Sequence, residues 1–312
     1  MNENQINLKK NNPTLVLLNK PRGMTSYDCI RNLKKHWNNP HLGHGGTLDS
    51  FAEGLLPLLM HEGLKCSRFF LENYPMLPTY WKTYEASMEL GKQTDTDDPT
   101  GEIIDQKITK KFSEMEMKKI ETFFHGKTYE QFPPKYSAKK INGQRASDLM
   151  RKDQDVELKS SSVTIQNFRI KRYHHPYLDF TVTCSKGTYI RSLAKDISWQ
   201  LNTIGVLTDL IRTAIGNLKL ENAFTLEHCL STSLNSVALP LSDLLTGIPK
   251  VSCDQEEKIQ IRNGICTDFK VKIANSGMKP SILVAQFEDS PIALFELKAD
   301  KSVNFLRGFN QS

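Results

Sequence analysis

No stretch of apolar residues in this sequence approaches the roughly 20 residues that a membrane span requires. The first thirteen residues, MNENQINLKKNNP, are polar and contain no apolar core of a secretory signal. Hydrophobic residues make up 38% of the chain and charged residues 24%, which is ordinary for a soluble globular protein. We therefore expect a cytoplasmic protein with no membrane contact, in which residues 1–13 form a polar tail.

Cysteine is also scarce. The chain has six cysteines in 312 residues, and none of them forms a CxxC pair or stands near a histidine at metal-ligand spacing. This scatter favours reduced thiols over disulfides or a zinc centre. The acidic loop GKQTDTDDPTG at residues 91–101 lacks the spacing and the closing glutamate of an EF-hand, so we interpret it as a structured turn. We expect no bound metal.

Positive charge is unevenly distributed. Between Lys127 and Arg172 the chain has eleven lysines and arginines against five acidic residues, and this segment accounts for the whole net charge of +6. Such a segment can bind a polyanion such as a nucleic acid. A solvated face that only keeps the protein soluble would have the same composition. Charge alone leaves both interpretations open.

The stretch from Gly43 to Gly54 holds four glycines in twelve residues. That content is incompatible with a regular helix or a strand interior, and it predicts a shaped loop before the apolar run from Leu55 to Met60. Its carboxylate, Asp49, lies among glycines that let a ligand approach the backbone. Asp49 is therefore a candidate functional residue. The alternative is a tight turn in which Asp49 only accepts hydrogen bonds from backbone amides.

Hydrophobic periodicity predicts an α+β protein. Alternating residues indicate strands, residues three and four apart indicate helices, and Ser or Thr followed by an acidic residue marks helix starts. The predicted strands are 14–18, 80–90, 163–170 and 178–184. The predicted helices begin at Thr25 or Ser26, at Ser113 and near Ile190.

Five blocks of the sequence resemble the TruB family of tRNA pseudouridine synthases: residues 19–26, 43–54, 80–98, 131–143 and 185–191. The most specific is GHGGTLDSFAEG at 43–54, which matches the family signature GH-T/G-GTLDP-x-A-x-G except that Ser50 replaces the proline. The resemblance covers roughly residues 14–310. It implies isomerisation of uridine to pseudouridine in the T-loop of tRNA, at tRNA position 55, with no cofactor and no obligatory protein partner.

The resemblance also assigns roles to individual residues. It implies that Asp49 is the catalytic carboxylate and that Arg191 pairs with it. The implied substrate-binding set is His44, Tyr84, Tyr189, Arg191, Leu210, Arg212 and Lys20. An RNA clasp at about 127–160, which grips the T-arm of tRNA, would include Lys135, Tyr136, Lys139 and Lys140.

The same resemblance implies two domains. The pseudouridine synthase catalytic domain, 14–247, would contain a mixed, largely antiparallel sheet. The second, 248–312, would be a small PUA-like β-barrel that binds RNA. Independently of the resemblance, the Ser-, Leu- and Asn-rich composition after residue 228 predicts a linker that reaches residue 248.

Two rival functions remain open. An RNA-guided synthase of the dyskerin type would share the catalytic blocks but require partner proteins. A non-catalytic tRNA-binding chaperone would need the basic segment but not Asp49.

Overall fold

A computed structural model describes residues 13–67, 81–134, 140–141, 144–145 and 159–310, and it confirms the predicted α+β class. The strands are β1 (Leu15–Lys20), β2 (Leu42–His44), β3 (Glu53–Met60), β4 (Lys82–Leu90), β5 (Lys92–Thr94), β6 (Ile103–Gln106), β7 (Lys127–Gln131), β8 (Lys140–Ile141), β9 (Gln144–Arg145), β10 (Ser161–His174), β11 (Tyr177–Cys184), β12 (Gly205–Ile215), β13 (Leu218–Lys219), β14 (Phe224–Thr225), β15 (Lys250–Ser252), β16 (Ser281–Phe287), β17 (Ser290–Leu297) and β18 (Val303–Gly308). The helices are α1 (Ser26–His36), α2 (Glu114–Phe124), α3 (Ile190–Gln200), α4 (Leu226–Ser231), α5 (Leu234–Val237), α6 (Leu241–Leu244), α7 (Gln255–Arg262) and α8 (Thr267–Ala274).

One ten-stranded sheet organises most of the chain. Its order is β14-β1-β3-β12-β4-β11-β10-β7, with β2 paired to β3 and β13 paired to β12. Only the pairs β1–β14 and β3–β12 are parallel, so the sheet is mixed and largely antiparallel, as predicted. The pairing of β3 with β12 is short, because it joins only residues 53–54 to residues 211–212.

The strands β1 and β3 are buried on both faces. Val16 and Leu18 pack with α1, whereas Leu15 and Leu17 pack on the opposite side. Burial on both faces explains why these strands are continuous apolar runs in the sequence rather than alternating ones.

Strand β4 follows the alternating pattern and is buried on one face. That face, which includes Tyr84 and Met88, packs in one core cluster with α2 and α3.

Local signals at the helix starts also agree with the structure. Thr25 caps α1 and Ser113 caps α2, each in a capping box with the acidic residue three positions later.

The linker predicted after residue 228 is wrong. Residues 226–244 form the short helices α4, α5 and α6, and Val237, Leu241 and Leu244 from them are buried. Helices of four to six residues are too short to show a hydrophobic period, so only tertiary packing reveals them.

The C-terminal barrel is not confirmed. Residues 250–308 contain an open four-stranded sheet, β15-β16-β17-β18, together with α7 and α8. Ile282, Val284 and Leu294 of this sheet share a core cluster with Leu15 and Leu55 of the large sheet. The C-terminal sheet therefore packs directly against the main one.

Most of the predicted RNA clasp lies outside the described residues, including Lys135, Tyr136 and Lys139. Lys140 lies in the β8–β9 hairpin, of which only the backbone is described. Across the described part of the chain, no helix is both long and apolar enough to cross a membrane.

Gly54 offers a test of the short β3–β12 junction. Its φ is +104°, and a Cβ there would lie 2.5 Å from the carbonyl oxygen of Arg212. We expect Gly54→Ala to lower the free energy of unfolding by about 3 kcal/mol or more, because strain and a backbone clash add together. Urea unfolding followed by circular dichroism measures the loss.

Gly126→Ala is the matched control. Gly126 also has a positive φ, +72°, but no atom lies within 4 Å of the added Cβ. The control should lose only about 1 kcal/mol from backbone strain. Equal losses in the two variants would contradict the proposed clash.

Candidate active site

The loop between β2 and β3 carries Asp49, and the segment around α1 holds it from one side. Ser26 donates its hydroxyl to the carbonyl of Leu48 at 3.2 Å and accepts the N–H of Leu48 at 3.0 Å. The N–H of Gly23 donates to the carbonyl of Ser50 at 2.8 Å. Residues on both sides of Asp49 are thus fixed to the segment before α1 and to its first turn.

Lys20 lies beneath this loop. Its side chain is fully buried, and its Nζ donates to the carbonyls of Pro21 at 2.9 Å, Met24 at 2.7 Å and Ser50 at 3.4 Å. Burial lowers the pKa of Lys20, and the carboxylate of Asp49 is among the groups that partly oppose this shift. The structure therefore places Lys20 as a support of the loop.

Arg212 supports the other end of the loop. It is fully buried on β12, and its guanidinium donates to the carbonyls of Leu55 at 2.8 Å, Gly46 at 3.1 Å and Thr47 at 3.3 Å. A buried guanidinium needs several acceptors to offset its lost hydration, and here the backbone supplies them. Arg212 thus shapes the segment before Asp49.

Asp49 pairs with Arg191 through both carboxylate oxygens. Arg191 Nε lies 3.0 Å from Oδ2, and Nη2 donates to Oδ1 at 3.2 Å. The side chain of Arg191 is only 5% exposed, whereas that of Asp49 is 40% exposed. The arginine therefore lies under the carboxylate, which a ligand can still reach from outside.

The 91–101 loop holds Arg191 in place. Its carbonyl at Thr96 accepts from Arg191 Nη1 at 2.9 Å, and Asp98 Oδ2 lies 3.4 Å from the same nitrogen. The other oxygen of Asp98 accepts from the hydroxyls of Thr96 at 2.8 Å and Thr100 at 2.6 Å. This network confirms the predicted structured turn and shows that the turn fixes the arginine.

The electrostatic setting of Asp49 has opposing contributions. Surrounding protein atoms raise the pKa of its carboxyl above the ordinary value, and the nearby charge of Asp98 adds to the rise. The cations Arg191 and Lys20 oppose it. Without its arginine, Asp49 would therefore be harder to ionise.

His44 is the last residue of β2, three positions before Thr47, and it is partly buried. Its Nδ1 accepts the N–H of Gly46 at 3.1 Å, so the neutral ring carries its proton on Nε2. Burial lowers the pKa of His44, and the cations Arg212 and Lys82 lower it further. The imidazole is therefore uncharged at neutral pH.

Three further predicted residues lie on β4, on β12 and before α3. Tyr84 is buried on β4, and burial raises the pKa of its phenol to about 12. Leu210 is buried on β12 in the same core cluster as Tyr84. Tyr189 precedes the first residue of α3, and its N–H donates to Gln131 Oε1 at 2.8 Å. Sequence reasoning thus located Tyr84 on the inner face correctly.

Lys82 was missed as a site residue. It lies two residues before Tyr84 on β4, and its Nζ is 3.1 Å from the point that a Cβ on Gly46 would occupy. Burial, assisted by the charge of Arg212, lowers the pKa of Lys82 to about 8. The sequence did contain a signal, because Lys82 interrupts the apolar alternation of β4.

Within the described ranges, no three potential ligand side chains are grouped so as to hold a metal ion. The site is instead a carboxylate on a buried arginine, with a neutral imidazole and a phenol nearby.

Comparisons with a family model and with curated relatives agree on one protein family. The model of the TruB family pseudouridylate synthase N-terminal domain matches residues 34–190. The chain is 38% identical over 224 residues to tRNA pseudouridine synthase B of Mesoplasma florum, covering 72% of this chain and 76% of the relative. It is 32% identical over 293 residues to tRNA pseudouridine synthase B of Bacillus cereus, covering 90% and 92%.

Solved structures with low sequence identity share the fold. An H/ACA RNP bound to a substrate RNA containing 2'-deoxyuridine has a chain that superposes with a TM-score of 0.66 at 18% identity, covering 96% of this chain and 85% of that one. A Cbf5-Nop10-Gar1 complex gives 0.65 at 19% identity, covering 95% and 85%.

The lowered pKa of Lys82 predicts a pH effect on stability. In the unfolded chain this lysine keeps its proton up to about pH 10.5, whereas in the folded protein it loses it near pH 8. Between these values the unfolded state binds more protons, so the contribution of Lys82 to stability rises with pH. Relative to Lys82→Met, the wild type should gain free energy of unfolding from pH 8 to pH 10.

Urea unfolding of both proteins at pH 7, 8, 9 and 10 checks this difference. Using the difference cancels the other titrating groups. A constant difference across the range would show that folding does not lower the pKa of Lys82.

Proposed function

The chain belongs to the TruB family of pseudouridylate synthases, and from this membership and the Asp49 site we propose that it isomerises uridine to pseudouridine in the T-loop of tRNA, at tRNA position 55. The observation that carries the proposal is the geometry of Asp49. Its carboxylate is accessible from outside while a buried arginine binds both of its oxygens.

The reaction needs a carboxylate at the sugar and a closed site for the base. The target base must first leave the RNA stack, which costs a few kcal/mol. Asp49 then acts at the ribosyl centre while the bond between N1 and C1' breaks. The uracil turns in the pocket, a bond forms from C5 to C1', the proton on C5 leaves, and N1 gains one. Substrate and product have the same composition, so no co-reactant is consumed.

The neighbours of Asp49 have complementary roles in this proposal. The neutral ring of His44 stacks in the place that the base has left, and Tyr84 lies against the flipped uracil. Tyr189 and Leu210 complete the wall of the pocket. Lys20 and Arg212 act through the loop, because their side chains are buried against its carbonyls.

RNA binding would involve two further parts of the chain. The clasp at about 127–160 would grip the T-arm through Lys135, Tyr136, Lys139 and Lys140, and the unit 248–312 would add contacts outside it. We propose domain boundaries at 14–247 and 248–312, supported by the change of sheet near residue 250. The enzyme would act in the cytoplasm without an obligatory partner protein.

One assay separates this function from its rivals. The purified protein is incubated with an unmodified tRNA transcript, and pseudouridine is mapped along the RNA. We expect the product in the T-loop without guide RNA or other proteins. Tight binding without any product would favour a chaperone, and product only with added guide RNA and partners would favour a dyskerin-type enzyme.

The first functional prediction concerns the carboxylate. Asp49→Asn keeps the shape of the side chain but removes its negative charge, so tRNA binding should persist. Single-turnover conversion at saturating enzyme should fall by at least about a thousandfold, because an amide cannot replace a carboxylate as nucleophile or base. A rate near that of the wild type would make Asp49 a turn residue.

The second functional prediction concerns the basic segment. Replacing Lys135, Lys139 and Lys140 with glutamine should lower the slope of log affinity against log salt by about two to three units, because each lysine on a phosphate contributes somewhat less than one. Filter binding of tRNA between 50 and 200 mM salt measures the slope.

The control removes the same charge elsewhere, with glutamine at the exposed residues Lys107, Lys111 and Lys119. These lie outside the segment 127–172 and should leave the slope nearly unchanged. Equal slopes for the two triple variants would place the electrostatic contact outside the clasp.

A further inference from the structure

Three exposed aromatic side chains line one cavity beside the candidate active site. Phe123, Phe132 and Trp199 are 40%, 66% and 57% exposed, and all border a cavity of about 360 Å³ between α2, β7 and α3. In the described part of the chain only three other aromatic residues are this exposed, and none of them lines the cavity. Clustered aromatic surface in contact with water is typical of a binding site.

Charged groups around the cavity limit what can bind. Lys127 Nζ lies 3.2 Å from the ring centroid of Phe123, and Lys195 Nζ lies 5.4 Å from that of Trp199. Three acidic residues also line it, namely Asp97, Glu130 and Asp196. The acids disfavour a phosphate inside the cavity, while the lysines can attract one at its edge. A flat, uncharged ring with a phosphate outside satisfies both conditions.

The cavity lies beside the Asp49 site along α3. Arg191 lies in the first turn of this helix, and Trp199 follows eight residues later, about 12 Å along the axis at 1.5 Å per residue. Ser192, which directly follows Arg191, donates its hydroxyl to the carbonyl of Phe132 at 2.8 Å. Lys195 lies 3.7 Å from Asp97, which directly precedes the Asp98 that contacts Arg191. A ligand in the cavity would therefore lie within a few nucleotides of the target.

We propose that this cavity binds an unpaired base of the substrate RNA, from a nucleotide close to the target uridine, stacked on Trp199 or Phe132. The identity of the RNA rests on the proposed function. Unpaired bases of an RNA loop can turn out of the stack, and an aromatic platform supplies such a base with a new stacking partner. Stacking of one base on an aromatic side chain contributes about 1–3 kcal/mol.

The test is a double-mutant cycle between protein and RNA. Trp199→Ala and Phe132→Ala are each made in the Asp49→Asn background, so that the RNA is not converted during the measurement. The probes are a T-arm stem-loop with all bases present and a series in which one nucleotide near the target is abasic. Tyr27→Ala is the control, because Tyr27 is 68% exposed on α1 and lies outside the cavity.

We expect at least one of the two cavity variants to bind the intact stem-loop about 5- to 150-fold more weakly, the factor that corresponds to stacking of one base. On the RNA that lacks the base bound in the cavity, the same variant should bind as tightly as its parent. The control should bind as tightly as its parent. Unchanged affinity in both cavity variants, or an equal loss on every abasic RNA, would overturn the proposal.

Failure of this inference can be told apart from failure of the proposed function. The wild-type protein is assayed in parallel for pseudouridine on the intact stem-loop. If the wild type forms pseudouridine but the cycle shows no coupling between either cavity variant and any abasic position, the cavity proposal is wrong and the proposed function stands. Circular dichroism of each variant confirms that substitution of these exposed side chains has not unfolded the protein.

Discussion

The ion pair between Asp49 and Arg191 is the interaction on which the arrangement of the site depends. A guanidinium that is 5% exposed must find acceptors for its donors, and a single carboxylate does not suffice. The 91–101 loop supplies the carbonyl of Thr96 and the carboxylate of Asp98. The helix α3, the 91–101 loop and the loop that carries Asp49 therefore meet at the side chain of Arg191. The accessible carboxylate of Asp49 lies at this meeting point.

Two further buried cations give the loop its shape. Lys20 binds the carbonyl of Ser50 and Arg212 binds the carbonyls at 46–47, so the backbone is held on both sides of Asp49. Removing Arg212 would leave the buried carbonyls of Gly46 and Leu55 without this donor, which costs more than the hydrogen bonds contributed. Lys82 adds positive charge near Gly46. Burial, assisted by the charges of Arg212 and Lys82, lowers the pKa of His44 and keeps its imidazole neutral. Cations buried beside the loop thus shape its backbone and the electrostatic setting of Asp49 and His44.

Much of this could be predicted from the sequence, because the relevant signals are local or belong to recognisable blocks. The capping boxes at Thr25 and Ser113, the alternation of β4 and the glycine-rich loop are all readable over a few residues. The pairing of Asp49 with Arg191 was expected from the family resemblance, and the structure brings together these residues, which are 142 positions apart. The helices within 226–244 and the open C-terminal sheet were missed, since their stability comes from packing against β1 and β3. In the sequence, Lys82 is visible only as a break in the apolar alternation of β4. Its proximity to Gly46 exists only after folding, so its place in the site could not be predicted.

The most direct test of the central claim is the pH dependence of single-turnover conversion in the wild type, Arg191→Lys and Arg191→Ala. In the proposed reaction Asp49 acts in its ionised form, and Arg191 lowers the pKa of its carboxyl against the effect of burial. Activity should therefore disappear as the pH falls, and it should do so at a higher pH in Arg191→Ala than in the wild type. Arg191→Lys, which keeps a positive charge, should lie between them. An acid limb at the same pH in all three proteins would contradict the claim that Arg191 acts by keeping Asp49 ionised.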